Sequence, residues 1–122
     1  MFANYNYDHF PLVKVTFKGT IQNEMDFTLF KEQWLKLYED EVDFQFEFDM
    51  KDIGMINPHY SYKMASFISD LKKRPRQYLT HSTILNVNSF TKYLLWIVFK
   101  IQSPVAPVEI VYLDGTRATV VP

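Results

Sequence analysis

The sequence predicts an α/β domain: a mixed sheet with a parallel centre and antiparallel edges, helices packed against it, in the order β-β-α-β-α-β-α-β-β. Three observations lead there. Short runs rich in Val, Ile and Phe alternate apolar with polar residues, the period of a strand with one buried face. Between them lie stretches whose apolar residues recur every three or four positions, the period of a helix. Their alternation along the chain implies right-handed crossovers between parallel strands.

Residues 4–8 (NYNYD) alternate Tyr with polar side chains and read as a short edge strand, which His9-Phe10-Pro11 ends because proline cannot donate to a ladder. Residues 12–18 (LVKVTFK) read as its antiparallel partner, with Val13, Val15 and Phe17 on one face, and Gly19 closes them. Asn23 or Asp26 can cap the first helix, whose apolar stripe is Phe27, Phe30, Trp34, Leu37 and Tyr38 and which is expected to end near Glu41. Residues 42–50 (VDFQFEFDM) put Val42, Phe44, Phe46 and Phe48 on one face of a strand. Asp43, Gln45, Glu47 and Asp49 lie on the other, an acidic row expected to face solvent.

Residues 51–56 read as loop. Asn57 is a good N-cap and Pro58 a good first helical residue for a second helix with the buried stripe Met64, Phe67, Ile68 and Leu71. Lys72, Lys73 and Arg74 suit its negative end, and Pro75 stops it. Residues 82–87 (STILNV) form a strand. Asn88 caps a third helix over 89–101, apolar around most of its circumference. After the rigid connector 103–107, residues 108–113 and 116–121 read as a hairpin around the two-residue turn Asp114-Gly115.

The 122 residues suffice for one domain with a core of its own, and a hydrophobic share of 48% removes disorder from consideration. A net charge of -1 gives no basis for nucleic acid as a partner. The absence of cysteine excludes disulfides and thiolate chemistry and fits a reducing cytoplasm. No signal peptide is read, and the longest apolar run, 94–99, is too short to span a bilayer, so no membrane partner is expected. There is no His-Glu-x-x-His, no Gly-x-Ser-x-Gly and no glycine-rich phosphate loop among three glycines. No cofactor and no catalysis are expected.

Polar side chains gather in one place, the join of 49–61 between the third strand and the second helix, at the carboxyl end of a buried strand where open α/β sheets bind their ligands. Asn57, His59, Tyr60, Ser61 and Tyr62 are the candidate partner-binding residues. A helix N-terminus offers free N–H groups, and tyrosine is common at binding hot spots. The plainer reading is a helix cap with an exposed first turn. Asp49, Asp52 and His59 can also be read as metal ligands, but a solvated acid and a loop-capping Asp account for them better, and no metal is assigned. Lys72-Lys73-Arg74-Pro75-Arg76 is read as a helix end carrying the charge it should carry. The excess of apolar side chains over 94–99, Trp96 among them, fits either a helix wedged between two layers or a surface for a homodimer or other partner.

In element order and spacing, over roughly 12–112, the chain resembles the STAS domain of anti-sigma-factor antagonists and anion-transporter tails. A strand ending in Gly19, an amphipathic helix, a strand ending at Asp49-Met50, and a short loop with Ile53 and Ile56 before a second helix carry the resemblance. It implies a non-catalytic regulatory domain that docks to protein partners. In that family many members are switched by phosphorylation of a Ser in an Asp-Ser-Ser-Gly motif. Here those positions fall on Asn57, Pro58, His59 and Tyr60, with His59 at the acceptor position and Ser61 two residues later as the candidate phosphoacceptor. The other reading is a small-ligand or anion-binding protein, or an enzyme, with its site at the same junction.

Overall fold

A computed structural model describes residues 1–122. The elements are β1 (Ala3–Asn6), β2 (Leu12–Gly19), α1 (Glu24–Lys36), β3 (Phe44–Ile53), α2 (His59–Lys72), β4 (Leu79–Val87), α3 (Ser89–Ile101), β5 (Val108–Tyr112) and β6 (Arg117–Val120). They form one six-stranded sheet in the order β1-β2-β3-β4-β5-β6. The pairs β2–β3, β3–β4 and β4–β5 are parallel, and the edge pairs β1–β2 and β5–β6 antiparallel. The predicted fold class and element order hold.

The sheet is wound in one direction. All three crossovers step the same way, and right-handed crossovers then put all three helices on one face. The alternation of each strand matches this. Val13, Phe46, Ser82 and Val108 lie in register across the sheet and face the helices, as do Val15, Phe48, Ile84 and Ile110. The opposite face carries Lys14, Gln45, Glu47, Thr83, Glu109 and Arg117 and is open to solvent. The acidic row of β3 is indeed half-exposed there, and Lys14 of β2 also pairs with Glu47 at 3.9 Å.

Aromatic rings fill one half of the space between sheet and helices. Trp34 of α1 packs at 4.7 Å from Phe46 and 5.8 Å from Phe48, and edge-on at 5.3 Å to Phe67 of α2. Tyr5 ties the edge strand to α1 by donating to the Phe30 carbonyl at 2.7 Å, and burial pushes its phenol pKa far up. α2 buries two stripes: Phe67 and Leu71 enter the main core, while Ala65 and Ile68 meet Val98 of α3.

Several boundaries differ from expectation. Glu41 takes a left-handed conformation (φ 53), which turns the chain before β3 and leaves Val42 exposed rather than in the core. α1 ends at Lys36, short of that turn. β3 runs on to Ile53, not Met50, because Lys18 and Gly19 of β2 pair with Asp52 and Ile53. β4 begins at Leu79, three residues before Ser82, because Leu79 pairs with Phe44. In the last hairpin Tyr112 N donates to Thr116 O and Gly115 N to Tyr112 O. Three residues, Leu113 to Gly115, therefore make the turn, with Gly115 left-handed (φ 87). No helix is long and apolar enough to cross a membrane.

Candidate functional site

The junction between β3 and α2 is held by glycines. Gly54 N donates to Gly19 O at 2.7 Å, and Thr20 Oγ1 donates to Met55 O at 2.5 Å. Gly19 is left-handed (φ 72), a conformation open to glycine without steric cost. A Cβ on Gly54 would sit 3.1 Å from the Gly19 carbonyl carbon. The loop thus lies directly against the end of β2. Asp49 closes its other side: its Oδ1 accepts from Lys51 N at 2.9 Å and from Asn86 Nδ2 of β4 at 2.8 Å. Asp49 is therefore a structural acceptor, and no group of three or more His, Cys, Asp or Glu side chains able to hold a metal forms anywhere in the chain.

Asn57 caps the second helix as its sequence suggests. Its Oδ1 accepts from His59 N at 3.0 Å, and Tyr60 N and Ser61 N close the first turn onto the carbonyls of Asn57 and Pro58, each at 2.9 Å. Pro58 already has helical angles (φ -55, ψ -22), so the expected start and the observed start at His59 differ by only a residue.

The turn then sends the five candidate residues in different directions. Asn57, His59 and Tyr62 are exposed. Tyr60 is half-buried, its ring 5.5 Å from Phe27. Ser61 points inward: it is 5% exposed, and its hydroxyl donates to the Leu94 carbonyl of α3 at 3.1 Å. The candidate phosphoacceptor hydroxyl therefore joins two helices and is not presented to solvent. The helical periodicity of Ser61, Ala65 and Ile68, the first two of them small residues, is the sequence signal for this.

Glu24, at the start of α1, gathers the first turn of α2. Its carboxylate accepts from Lys63 Nζ at 2.6 Å, with the Tyr60 hydroxyl at 3.5 Å and His59 Nε2 at 3.9 Å. The Lys63 hydrogen bond, then the charges of Lys63 and His59, hold the Glu24 carboxyl below its ordinary value. A lowered carboxyl means that this tie is complete above the ordinary glutamate range and is lost as pH falls through the depressed value. An NMR titration of the Glu24 side-chain carbon is expected to give a midpoint below that of a free glutamate, moving up in Lys63→Met. A midpoint at the ordinary value with Lys63 present would contradict the arrangement.

Because the parallel strands β2, β3 and β4 each lead into a helix, the starts of α1, α2 and α3 all lie at the carboxyl end of the sheet. Each brings an exposed apolar side chain there: Met25 (60% exposed), Met55 (71%) with Tyr62 (59%), and Tyr93 (49%). Of these, the sequence reading singled out Tyr62 alone. Strand order also removes the crevice expected from doubly wound sheets. That crevice needs a point where the winding reverses, and this sheet never reverses. The hollow is instead between the layers. A cavity of about 170 Å³ lies under the helices, lined by 26 residues of which 22 are hydrophobic, and Ile53, Ile56, Tyr60 and Ser61 of the junction form part of its wall.

No protein-family model matches the chain, and comparison with curated proteins and with solved structures returns no match.

Proposed function

We propose that the chain is a STAS-like, non-catalytic regulatory domain of the cytoplasm that docks a protein partner through the carboxyl end of its parallel strands. The observation that carries this reading is the set of exposed apolar side chains at the starts of α1 and α2, Met25, Met55 and Tyr62. Apolar side chains grouped at a surface mark interaction sites, and flexible methionine with rigid tyrosine is a composition suited to one. His59 and Asn57 edge the patch with hydrogen-bonding groups, and the Gly19–Gly54 contact holds the loop that presents Met55.

The test is affinity capture of the partner from the source cell, followed by titration against Met55→Ser/Tyr62→Ala. Loss of a hot-spot pair corresponds to about 2 kcal/mol or more, a weakening of roughly thirtyfold, with thermal stability unchanged. Equal binding by the double variant would refute the docking surface.

Self-association through α3 is a second proposal on a separate surface. Tyr93 and Trp96 stack with ring centres 6.4 Å apart on its outer face, and Lys100 lies 5.0 Å over the Trp96 ring. Light scattering of the chain and of Trp96→Glu reads it: a dimer that the substitution converts to monomer supports it, and a concentration-independent monomer removes it.

A further inference from the structure

The core is closely packed in one region and hollow in another. Phe44, Phe46, Leu71, Val13 and Val15 have essentially no accessible surface, yet Phe17, Phe48, Ile84, Leu94 and Val98, equally deep between sheet and helices, each retain 4–8%. That residual surface faces the cavity of about 170 Å³. Its origin lies in the side chains. On the α1 side, Phe17, Phe30, Trp34 and Phe48 form a contiguous aromatic cluster, with Trp34 stacked on Phe48 and edge-on to Phe30. On the α3 side the facing positions are small, with Ser61, Ser82, Thr91 and Ala106 where a core of native density would carry larger groups. The void is therefore set by a division of large and small residues across the layer.

We propose that this interlayer cavity is a binding site for one uncharged, apolar small molecule, about the size of a substituted benzene. Three features select that class. No Lys, Arg, His, Asp or Glu lines the cavity, so a charged ligand would lose its hydration with nothing in return. The volume is below the roughly 300–1,000 Å³ of sites for drug-sized ligands, but it is comparable to the roughly 150 Å³ of apolar cavities that stay dry and take up benzene. The hydroxyl-bearing residues Ser82 and Thr91 on the wall could meet a single hydroxyl or carbonyl on the ligand, whereas the Ser61 hydroxyl is already committed to Leu94 O. The junction loop forms part of its wall: Ile53, Ile56 and Tyr60 line it beside β3 and α2, Pro104 and Val105 line it beside the α3–β5 connector, and the hollow is partly open to solvent. This site is independent of the docking surface, which uses the outward side chains of the same loop.

The experiment is a methyl-resolved NMR titration of the full chain with toluene and 1-hexanol, with hexanoate as the charged control. Saturable shifts are expected at Ile84, Leu94, Val98 and Val108, with none at Val13, Val15 and Leu71, and hexanoate is expected to bind at least tenfold more weakly. Ser82→Leu fills the cavity from the sheet and is expected to weaken toluene at least tenfold. Should that variant fail to fold, Ala106→Leu provides the same test from the α3–β5 connector. Absence of saturable shifts, shifts spread equally over the packed region, or undiminished binding in a folded filled variant would each overturn the proposal.

Discussion

Phe46→Ala is expected to remove about 3–5 kcal/mol of folding stability, a large part of the roughly 5–15 kcal/mol that holds a domain of this size together. Phe46 is at the centre of the packed region, 1% exposed, with Trp34 and Phe48 each 4.7 Å away and Phe44 at 5.3 Å. It stands between Val13 and Ser82 in register, and its ring is enclosed by the three aromatic neighbours, which cannot follow it into the space an alanine leaves without giving up their own contacts. Urea unfolding monitored by tryptophan fluorescence measures the loss. Phe48, one step along the same face, borders the hollow and already lacks some of its contacts. Phe48→Leu is therefore expected to cost less than Phe46→Leu. Equal costs for that pair would show that the two regions of the core are packed alike.

Ser61→Asp is expected to be comparably severe, for an electrostatic reason. The side chain is enclosed between α2 and α3, where its only partner is the Leu94 carbonyl, an acceptor. A carboxylate there faces a carbonyl oxygen with no donor, and leaving such a charge unpaired costs about 3–5 kcal/mol. Burial raises the folded-state pKa of such a carboxyl, so the deficit is greatest at neutral pH and shrinks as pH falls through the raised value. Tyr62→Asp, one residue on and 59% exposed, is expected to change stability by no more than about 0.5 kcal/mol. Thermal melts of the two variants at neutral and mildly acidic pH separate these outcomes. If Ser61→Asp melts like the parent chain, the inward placement of Ser61 is wrong. The same physics bears on the family-type switch: a phosphoryl group on Ser61 would have to part α2 from α3, and would act by opening the domain rather than by marking its surface.

The fold was legible where short-range chemistry decides the structure. Asn88 and the period of 89–101 located α3 to the residue, because a side-chain cap and an apolar stripe are local features: Asn88 Oδ1 accepts from Thr91 N at 2.8 Å. Asn23 caps α1 in the same way, and Asp26, the alternative cap, takes the Gln22 N–H instead. Legibility failed where a partner decides. The extension of β3 over Lys51 to Ile53 depends on the end of β2, and Val42 left the core because Glu41 reverses the chain in a conformation its residue type does not announce. The candidate site was half legible. Its cap was visible, but the direction of Ser61 depends on a second helix–helix contact, and the cavity depends on summed side-chain volumes, which no alternation pattern encodes.

The unbroken strand order has a consequence for how the chain reaches this structure. Every strand hydrogen-bonds only to strands adjacent to it in sequence, so no pairing has to wait for a distant segment to arrive. Each strand–helix–strand unit can add to the one before it as the polypeptide emerges, with β5–β6 closing the sheet last. Each parallel pairing still closes over an intervening helix, as from Phe44 to Leu79, so the cost of loop closure falls on one crossover at a time.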